Sequence, residues 1–239
     1  MRPAPYTVAL VPAKLTSQRI AKKNIESIIS QPLFLFSVLA GLKTEGVDET
    51  FVSSESSLIL DQARQTGAGV IVRPDVLSEP SVKNIEVIKH ALDEIEKMRG
   101  RRPDYLVLLQ PTHPFRYPPD ISSALVEIRK DQTIDSLVSL SAEKRLVGNL
   151  EGDIFYPQDT GLESSKGRFV NCGSFYILRV ANTIAKNQLL GQRIRGFLLS
   201  KPSIEIDIDI PEDLAMARGL AELIWDDLIH FGLVDEDLL

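Results

Sequence analysis

The sequence predicts an α/β domain with a mostly parallel central sheet flanked by helices. Short, continuous apolar runs are typical of strands that are buried on both faces. Segments with helical periodicity separate the early runs, and this alternation favours right-handed crossovers between parallel strands. The 239 residues are 44% hydrophobic and 25% charged, which is sufficient for one substantial core. We therefore predict a single domain over residues 1–239.

The predicted strands and helices follow one another along the chain. The first apolar run, residues 7–11 (TVALV), ends at Pro12. The other predicted strands are residues 50–53, 70–73, 105–110 and 136–140. The clearest helix covers residues 82–98, because Ile85, Ile88, Leu92 and Ile95 recur at steps of three and four. The other predicted helices are residues 33–44, 58–66, 119–129 and 211–223. Ligands in such sheets bind beyond the carboxyl ends of the strands, so the loops that follow strands should carry the site.

The pattern loosens at about residues 141–170. Glycines interrupt polar sequence there, and the apolar residues alternate only over short pieces such as residues 153–156. An irregular arm or lid, inserted into the single domain, accounts for this segment better than a packed element does.

Composition excludes several classes of protein. The formal net charge of -6 argues against a nucleic-acid binder that works through a global basic surface. The longest apolar stretch, residues 33–42, is far shorter than the roughly 20 residues that span a bilayer, and no signal core follows the N-terminus. We expect a cytoplasmic protein with no membrane partner. The single cysteine, Cys172, offers neither an internal disulfide nor a zinc spacing.

A basic loop follows the first predicted strand. Lys14, Arg19, Lys22 and Lys23 lie within ten residues, beside the hydroxyls of Thr16 and Ser17. Such a loop suits several phosphate oxygens, although a solvated run of surface charge would look the same. The chain lacks the glycine patterns of the P-loop and of dinucleotide-binding proteins.

A second polar loop, residues 109–116 (LQPTHPFR), follows the fourth predicted strand. Its two prolines stiffen the backbone, and Gln110, Thr112, His113 and Arg116 would project polar groups toward a ligand. The alternative is a rigid turn that is held by a salt bridge of Arg116.

A pair of carboxylates lies late in the chain, in residues 204–213 (IEIDIDIPED). In a strand, Asp207 and Asp209 would point to the same face, because side chains alternate with period two. Two adjacent carboxylates favour a hard divalent cation, Mg²⁺ above all, which is usually shared with substrate phosphates. The alternative is an exposed acidic strand that leads into a helix, whose dipole Glu212 and Asp213 would favour.

These three segments, in this order, resemble the acylneuraminate cytidylyltransferases, the CMP-sialic acid synthetase family, which includes enzymes for legionaminic and pseudaminic acids. The resemblance covers roughly residues 6–220. The family pattern near the N-terminus is matched by Pro12, Ala13, Lys14, Ser17, Lys23 and Asn24; the family's Gln-Pro-Thr-Ser-Pro-Leu-Arg is matched by residues 110–116 and its Ile-Asp-Ile-Asp by residues 206–209. The resemblance implies a Rossmann-like nucleotidyltransferase fold with a small dimerisation arm, and a homodimer.

The resemblance also implies roles for individual residues. Phosphates of CTP would meet Lys14, Ser17, Arg19 and Lys23, while Asn24 and Arg73 would lie at or around the nucleotide. On the sugar side the resemblance places Gln110, Thr112, Arg116, Gly173 and Tyr176, and it assigns the metal to Asp207 and Asp209. Four features depart from the usual pattern: Lys14 stands for Arg, Gln18 stands where many sialic acid enzymes have Lys, His113 stands for Ser, and the lid lacks an Arg-Gln pair, with Lys166 and Arg168 the nearest cations.

The function so implied is the transfer of CMP from CTP to the anomeric hydroxyl of an acidic sugar, with release of pyrophosphate. The alternatives are a Kdo cytidylyltransferase and a homologue that binds CTP without turnover. A glycosyltransferase with an Asp-x-Asp metal site is a further alternative, which the late position of Asp207 and Asp209 weakens.

Overall fold

The computed structural model describes residues 4–143, 148–151, 154–157 and 168–234. The strands are β1 (Thr7–Pro12), β2 (Ser27–Ile28), β3 (Gln31–Pro32), β4 (Glu49–Ser54), β5 (Gly69–Val72), β6 (Tyr105–Leu108), β7 (Ser136–Ala142), β8 (Gly148–Glu151), β9 (Ile154–Pro157), β10 (Phe169–Arg179) and β11 (Ile194–Leu198). Seven of them form the central sheet, in the order β11-β7-β10-β6-β1-β4-β5. Within that sheet β10 runs antiparallel to both neighbours and the other described strands are parallel, which confirms the predicted mostly parallel sheet.

The helices occupy nearly the predicted positions. They are α1 (Leu33–Lys43), α2 (Ser57–Gln65), α3 (Asn84–Arg99), α4 (Pro118–Lys130), α5 (Pro211–Leu223) and α6 (Trp225–His230). Prolines occupy the first turns of α4 and α5, where a missing N–H costs nothing. Gly100, with φ of 66°, ends α3 in the left-handed conformation. No helix of the described ranges is long and apolar enough to cross a membrane.

The core lies on both faces of the sheet, as the side chains of β1 illustrate. Ala9 and Val11 belong to one buried cluster, with residues of α1, α2 and α4. Val8 and Leu10 belong to another, with residues of α3. A third buried cluster joins the outer side of α1 to α5 and α6. The ends of β1 and β6 are therefore fixed in a rigid framework.

The segment of residues 141–170 is more regular than its sequence predicts. Ala142 of β7 still pairs with Phe169 of β10, and β8 pairs with β9 in a small antiparallel ladder. The short alternation in this segment is therefore a hairpin pattern, so the prediction of irregular structure is wrong for its described residues. Lys166 lies outside the described residues.

Candidate active site

The predicted site residues gather at the carboxyl edge of the sheet, near the ends of β1 and β6. These strands are neighbours in the sheet. After β1 the next strand of the sheet is β4, on the far side of β1, whereas β6 is followed by β7 and β10 on the opposite side. A change of direction of this kind opens a crevice above the strand ends.

Two adjoining cavities occupy this crevice. The nucleotide-side cavity, of about 290 Å³, lies between the loop after β1 and the segment after β5; of the predicted residues it is lined by Lys14, Ser17, Arg19, Lys23, Asn24, Arg73, Gln110, Thr112 and Asp209. The sugar-side cavity, of about 350 Å³, lies beside β10; its predicted lining residues are Gln110, Thr112, Gly173, Tyr176, Asp207 and Asp209. Gln110, Thr112 and Asp209 line both cavities, so two ligands bound side by side would meet at these three residues.

The basic loop is tied to the protein at Lys23 and Asn24, while Arg19 and Lys22 are exposed. The buried amide of Asn24 donates to the backbone oxygen of Lys14 at 2.6 Å. The Lys23 ammonium donates to the backbone oxygen of Ile208 at 2.6 Å, and its side chain is only 12% exposed. These contacts hold the loop against the carboxylate segment, which is about 185 residues away in sequence.

Asp209 lies between two cations of the basic loop. Its carboxylate is 3.0 Å from Arg19 Nη1 and 3.3 Å from Lys23 Nζ. Partial burial opposes ionisation of Asp209, but the hydrogen bond from Lys23 and the charges of Lys23 and Arg19 outweigh it and hold the pKa below its ordinary value. The Asp213 carboxylate fixes the backbone here, because it accepts from the Asp209 amide at 2.8 Å.

The segment that carries Asp207 and Asp209 is not a strand, which corrects the sequence prediction. Residues 205–209 belong to no strand of the described structure, and a backbone hydrogen bond from Ile208 N to Thr112 O at 2.8 Å ties them to the loop after β6. The side chains still alternate between the two faces of the segment, because Ile208 is fully buried and lies between the two aspartates in the sequence. Both carboxylates therefore still face the sugar-side cavity.

Strand β10 supplies the far wall of the sugar-side cavity. Its pairing with β7 shifts register between Asn171 and Tyr176, an irregularity that re-aims side chains. The Asn171 amide donates to the Tyr176 hydroxyl at 3.0 Å. At Gly173 φ is 73°, and a Cβ there would lie 2.8 Å from Cε1 of His113, so the position requires glycine.

His113 forms the floor between β10 and the carboxylate segment. The ring is buried. Its Nδ1 atom lies 3.1 Å from Thr112 Oγ1 and 3.7 Å from the Asp207 carboxylate. Burial, together with the charge of Arg116, lowers the pKa of His113 to about 4, although Asp207 acts in the opposite direction. The imidazole is therefore neutral near pH 7.

Arg116 lies behind the cavities and lines neither of them, unlike the substrate contact that the resemblance implies. Its guanidinium is fully buried and donates to the backbone oxygens of Ser174 and Gln110 and, at 2.7 Å, to the Ser37 hydroxyl. Burial lowers the pKa of Arg116 to about 9, so the group stays charged at neutral pH. Arg116 thus braces α1, β10 and the loop after β6.

Glu55, just after β4, is a residue that the sequence reasoning missed. It accepts hydrogen bonds from the Leu15 amide at 2.7 Å, from Arg73 at 2.9 Å and from the Ser78 hydroxyl at 2.8 Å. One acidic residue among serines carries no recognisable pattern, so only the long-range contacts reveal it.

The chemistry of Asp207 and Asp209 fits a divalent cation. The two side chains are 54% and 48% exposed and present hard oxygen donors. Within the described part of the chain no group of three or more His, Cys, Asp or Glu residues is arranged to hold a metal. Two carboxylates without a third protein ligand suit Mg²⁺, which keeps several positions for waters and phosphate oxygens.

Comparison with known proteins gives consistent results. A family model described as cytidylyltransferase matches residues 8–225. The chain is 30% identical over 233 residues to a CMP-N,N'-diacetyllegionaminic acid synthase from Legionella pneumophila, covering 93% of this chain and 99% of that protein. It is 30% identical over 222 residues to a pseudaminic acid cytidylyltransferase from Campylobacter jejuni, covering 89% and 95%. Identity to an N-acylneuraminate cytidylyltransferase from Escherichia coli is 25%, and the chain spans 51% of that longer protein.

Solved structures of other nucleotidyltransferases share the fold. The structure of a CMP-2-keto-3-deoxy-manno-octonic acid synthetase complexed with CTP superposes with a TM-score of 0.67, at 18% identity, over 91% of this chain and 99% of that one. A 4-diphosphocytidyl-2C-methyl-D-erythritol synthase from Anaerococcus prevotii gives 0.67 at 11% identity, over 91% and 96%. These similarities confirm the predicted Rossmann-like nucleotidyltransferase fold.

Proposed function

This chain belongs to the cytidylyltransferase family, and from that membership we propose that it transfers CMP from CTP to the anomeric hydroxyl of a nonulosonic acid. The enzyme class is a CTP-dependent nucleotidyltransferase. The observation that carries the proposal is the pair of cavities that share Gln110, Thr112 and Asp209, since a transfer between two substrates needs them side by side.

The proposed step is an in-line displacement at the α-phosphorus of CTP. The anomeric oxygen forms a bond to this phosphorus, the bond from phosphorus to the α,β-bridging oxygen breaks, and pyrophosphate leaves with that oxygen. The hydroxyl proton passes to a base or to solvent. Lys14, Arg19, Lys23 and Ser17, which line the nucleotide-side cavity, would bind the phosphates and neutralise their charge.

Mg²⁺ is the proposed cofactor, held by Asp207 and Asp209. When bound, it would neutralise phosphate charge and lower the pKa of the attacking hydroxyl. Asp209 also contacts Arg19 and Lys23, so the same carboxylate would be shared between the cation and the basic loop.

His113 is suited to orient the sugar and not to act as a strong base. General bases work best with a pKa near the working pH, and the pKa of about 4 for His113 is far below it. The neutral ring fills the floor of the sugar-side cavity, beside Thr112. We assign it a hydrogen-bonding and shape-defining role toward the acceptor sugar.

The proposed acceptor is a nonulosonic acid, because the relatives that are 30% identical over most of their length act on legionaminic and pseudaminic acids by name. We also propose a cytoplasmic homodimer. The exposed apolar side chains of Leu150, Ile154 and Tyr156 on the β8–β9 hairpin and of Phe169 on β10 favour a second copy as partner for this arm.

The test is pyrophosphate release from CTP and Mg²⁺ with N-acetylneuraminate, legionaminate, pseudaminate and Kdo in turn. We expect release with one nonulosonic acid, and Asp209→Asn should reduce kcat/KM by about a hundredfold or more, because it removes a charged ligand from the shared wall. Asp61→Asn is the matched control, since Asp61 pairs with Arg64 on the exposed side of α2 and lines neither cavity.

Three outcomes would contradict the proposal. Release with Kdo alone would identify the alternative sugar. CTP binding without release, across the panel, would indicate a non-catalytic homologue. Equal activity of Asp209→Asn and Asp61→Asn would remove Asp209 from the site.

A further inference from the structure

We propose that Glu55 is a positioning residue that sets the affinity for CTP without touching it, an inference that rests on the proposed function. Glu55 lines neither cavity, yet its carboxylate joins the two walls of the nucleotide-side cavity. One oxygen accepts from the amide of Leu15, in the basic loop. The other accepts from Arg73 and from the Ser78 hydroxyl, in the segment after β5.

The first link fixes the basic loop. Leu15 directly follows Lys14, and its amide donates to Glu55 Oε1 at 2.7 Å. The Lys14 ammonium reaches across to the backbone oxygen of Ser78 at 3.4 Å, the residue whose hydroxyl also binds Glu55. The basic loop and the opposite wall of the cavity are therefore linked twice, directly from Lys14 to Ser78 and through the carboxylate of Glu55.

The second link fixes Arg73. Its side chain is only 3% exposed, it lines the nucleotide-side cavity, and its one carboxylate contact among the described residues is Glu55 at 2.9 Å. The Nε atom of Arg73 is buried and finds no hydrogen-bond acceptor in the described structure. A buried guanidinium with an unused donor at a cavity wall needs its counter-charge to stay in place.

The charge of Glu55 is what makes the link work. Burial opposes its ionisation, but the hydrogen bonds from Arg73, Ser78 and the backbone amides outweigh this and lower its pKa, so Glu55 is ionised at neutral pH. All the contacts of its two oxygens are with donors. A glutamine here would turn an amide N–H toward Arg73 or Leu15, where only an acceptor fits.

Glu49, at the other end of β4, provides a matched control. It lies at the start of β4, pairs with Arg99 at 2.6 Å and accepts from the Tyr6 hydroxyl at 2.6 Å. Glu49 thus has the same partner types as Glu55, a guanidinium and a hydroxyl, at the opposite edge of the sheet from both cavities.

The experiment compares Glu55→Gln with Glu49→Gln in the full-length enzyme. CTP affinity is measured by calorimetry without sugar, and KM is measured for CTP and for the sugar. Glu55→Gln should raise the Kd and KM for CTP by about tenfold, within the range of couplings found inside one hydrogen-bond network, and leave the KM for the sugar unchanged. Glu49→Gln should change neither, even where it lowers the melting temperature.

Glu55→Asp covers the case in which Glu55→Gln does not fold. It keeps the charge but is one methylene shorter, so it cannot span from Leu15 to Arg73, and a smaller rise in the Kd for CTP is expected. Wild-type CTP affinity in either folded variant, or an equal loss for CTP and sugar, would overturn the inference and leave the proposed function standing. Failure of the wild-type protein to bind CTP would overturn both.

Discussion

Replacement of Gly173 by alanine tests how tightly the floor of the sugar-side cavity is built. The backbone there has φ of 73°, a conformation that costs an L-residue about 1–2 kcal/mol. The added methyl group would also lie 2.8 Å from Cε1 and 3.0 Å from Nε2 of the His113 ring. His113 is buried, so its ring has little room to retreat.

The expected destabilisation is the sum of these two parts. Overpacking of a buried side chain typically costs about 1–3 kcal/mol, and with the backbone cost the total is about 3 kcal/mol. For a chain of this size a loss of 1 kcal/mol lowers the melting temperature by about 2–4 °C, so Gly173→Ala should melt about 10 °C below wild type.

A double-mutant cycle separates the two parts. Urea denaturation of Gly173→Ala, His113→Ala and the double variant gives the coupling free energy between the two positions. Removal of the ring relieves the clash but not the backbone cost, so the double variant should be about 2 kcal/mol more stable than the sum of the single effects predicts. Strictly additive effects would show that the ring does not pack on Gly173, and the reasoning would fail.

Two further predictions concern the same site and the arm. The pKa of His113 is about 4 in the folded protein, against an ordinary value of 6.5. As the pH falls, the unfolded chain therefore takes up a proton on His113 before the folded protein does. The stability that neutral His113 contributes is full above pH 6.5 and is lost as the pH falls toward 4. The difference in unfolding free energy between wild type and His113→Gln should therefore shrink over this range, and a constant difference by urea denaturation would contradict it. Light scattering should give about twice the chain mass of 26.6 kDa, and Leu150→Asp should shift the protein toward monomer; a monomeric wild type would refute the proposed dimer.

The sequence predicted those parts of the fold and site that depend on local pattern. The apolar runs placed β1, β4, β5, β6 and β7 to within two residues, because strands of a buried sheet must be apolar on both faces. The two polar loops could also be placed in one crevice, because loops that follow parallel strands lie at the same edge of the sheet.

Features that depend on distant contacts escaped prediction. Asp207 and Asp209 alternate as they would in a strand, but the described structure pairs their segment with no strand, and the local sequence pattern does not determine strand pairing. Arg116 looks like a ligand contact from its motif, whereas the structure buries it against Ser37 and Ser174. Glu55 contacts Leu15, Arg73 and Ser78, which lie 40 residues before it and 18 and 23 residues after it.

The link between Lys23 and Ile208 has a consequence for how the protein is made. It joins residues that are 185 positions apart in the sequence. The amide of Ile208 also donates to the backbone oxygen of Thr112, which is likewise distant in the sequence. Such distant contacts form late, because the loop between them must close first. During synthesis the basic loop emerges long before its acidic partner, so a nascent chain carries Arg19 and Lys23 without their carboxylate until Asp209 has been translated.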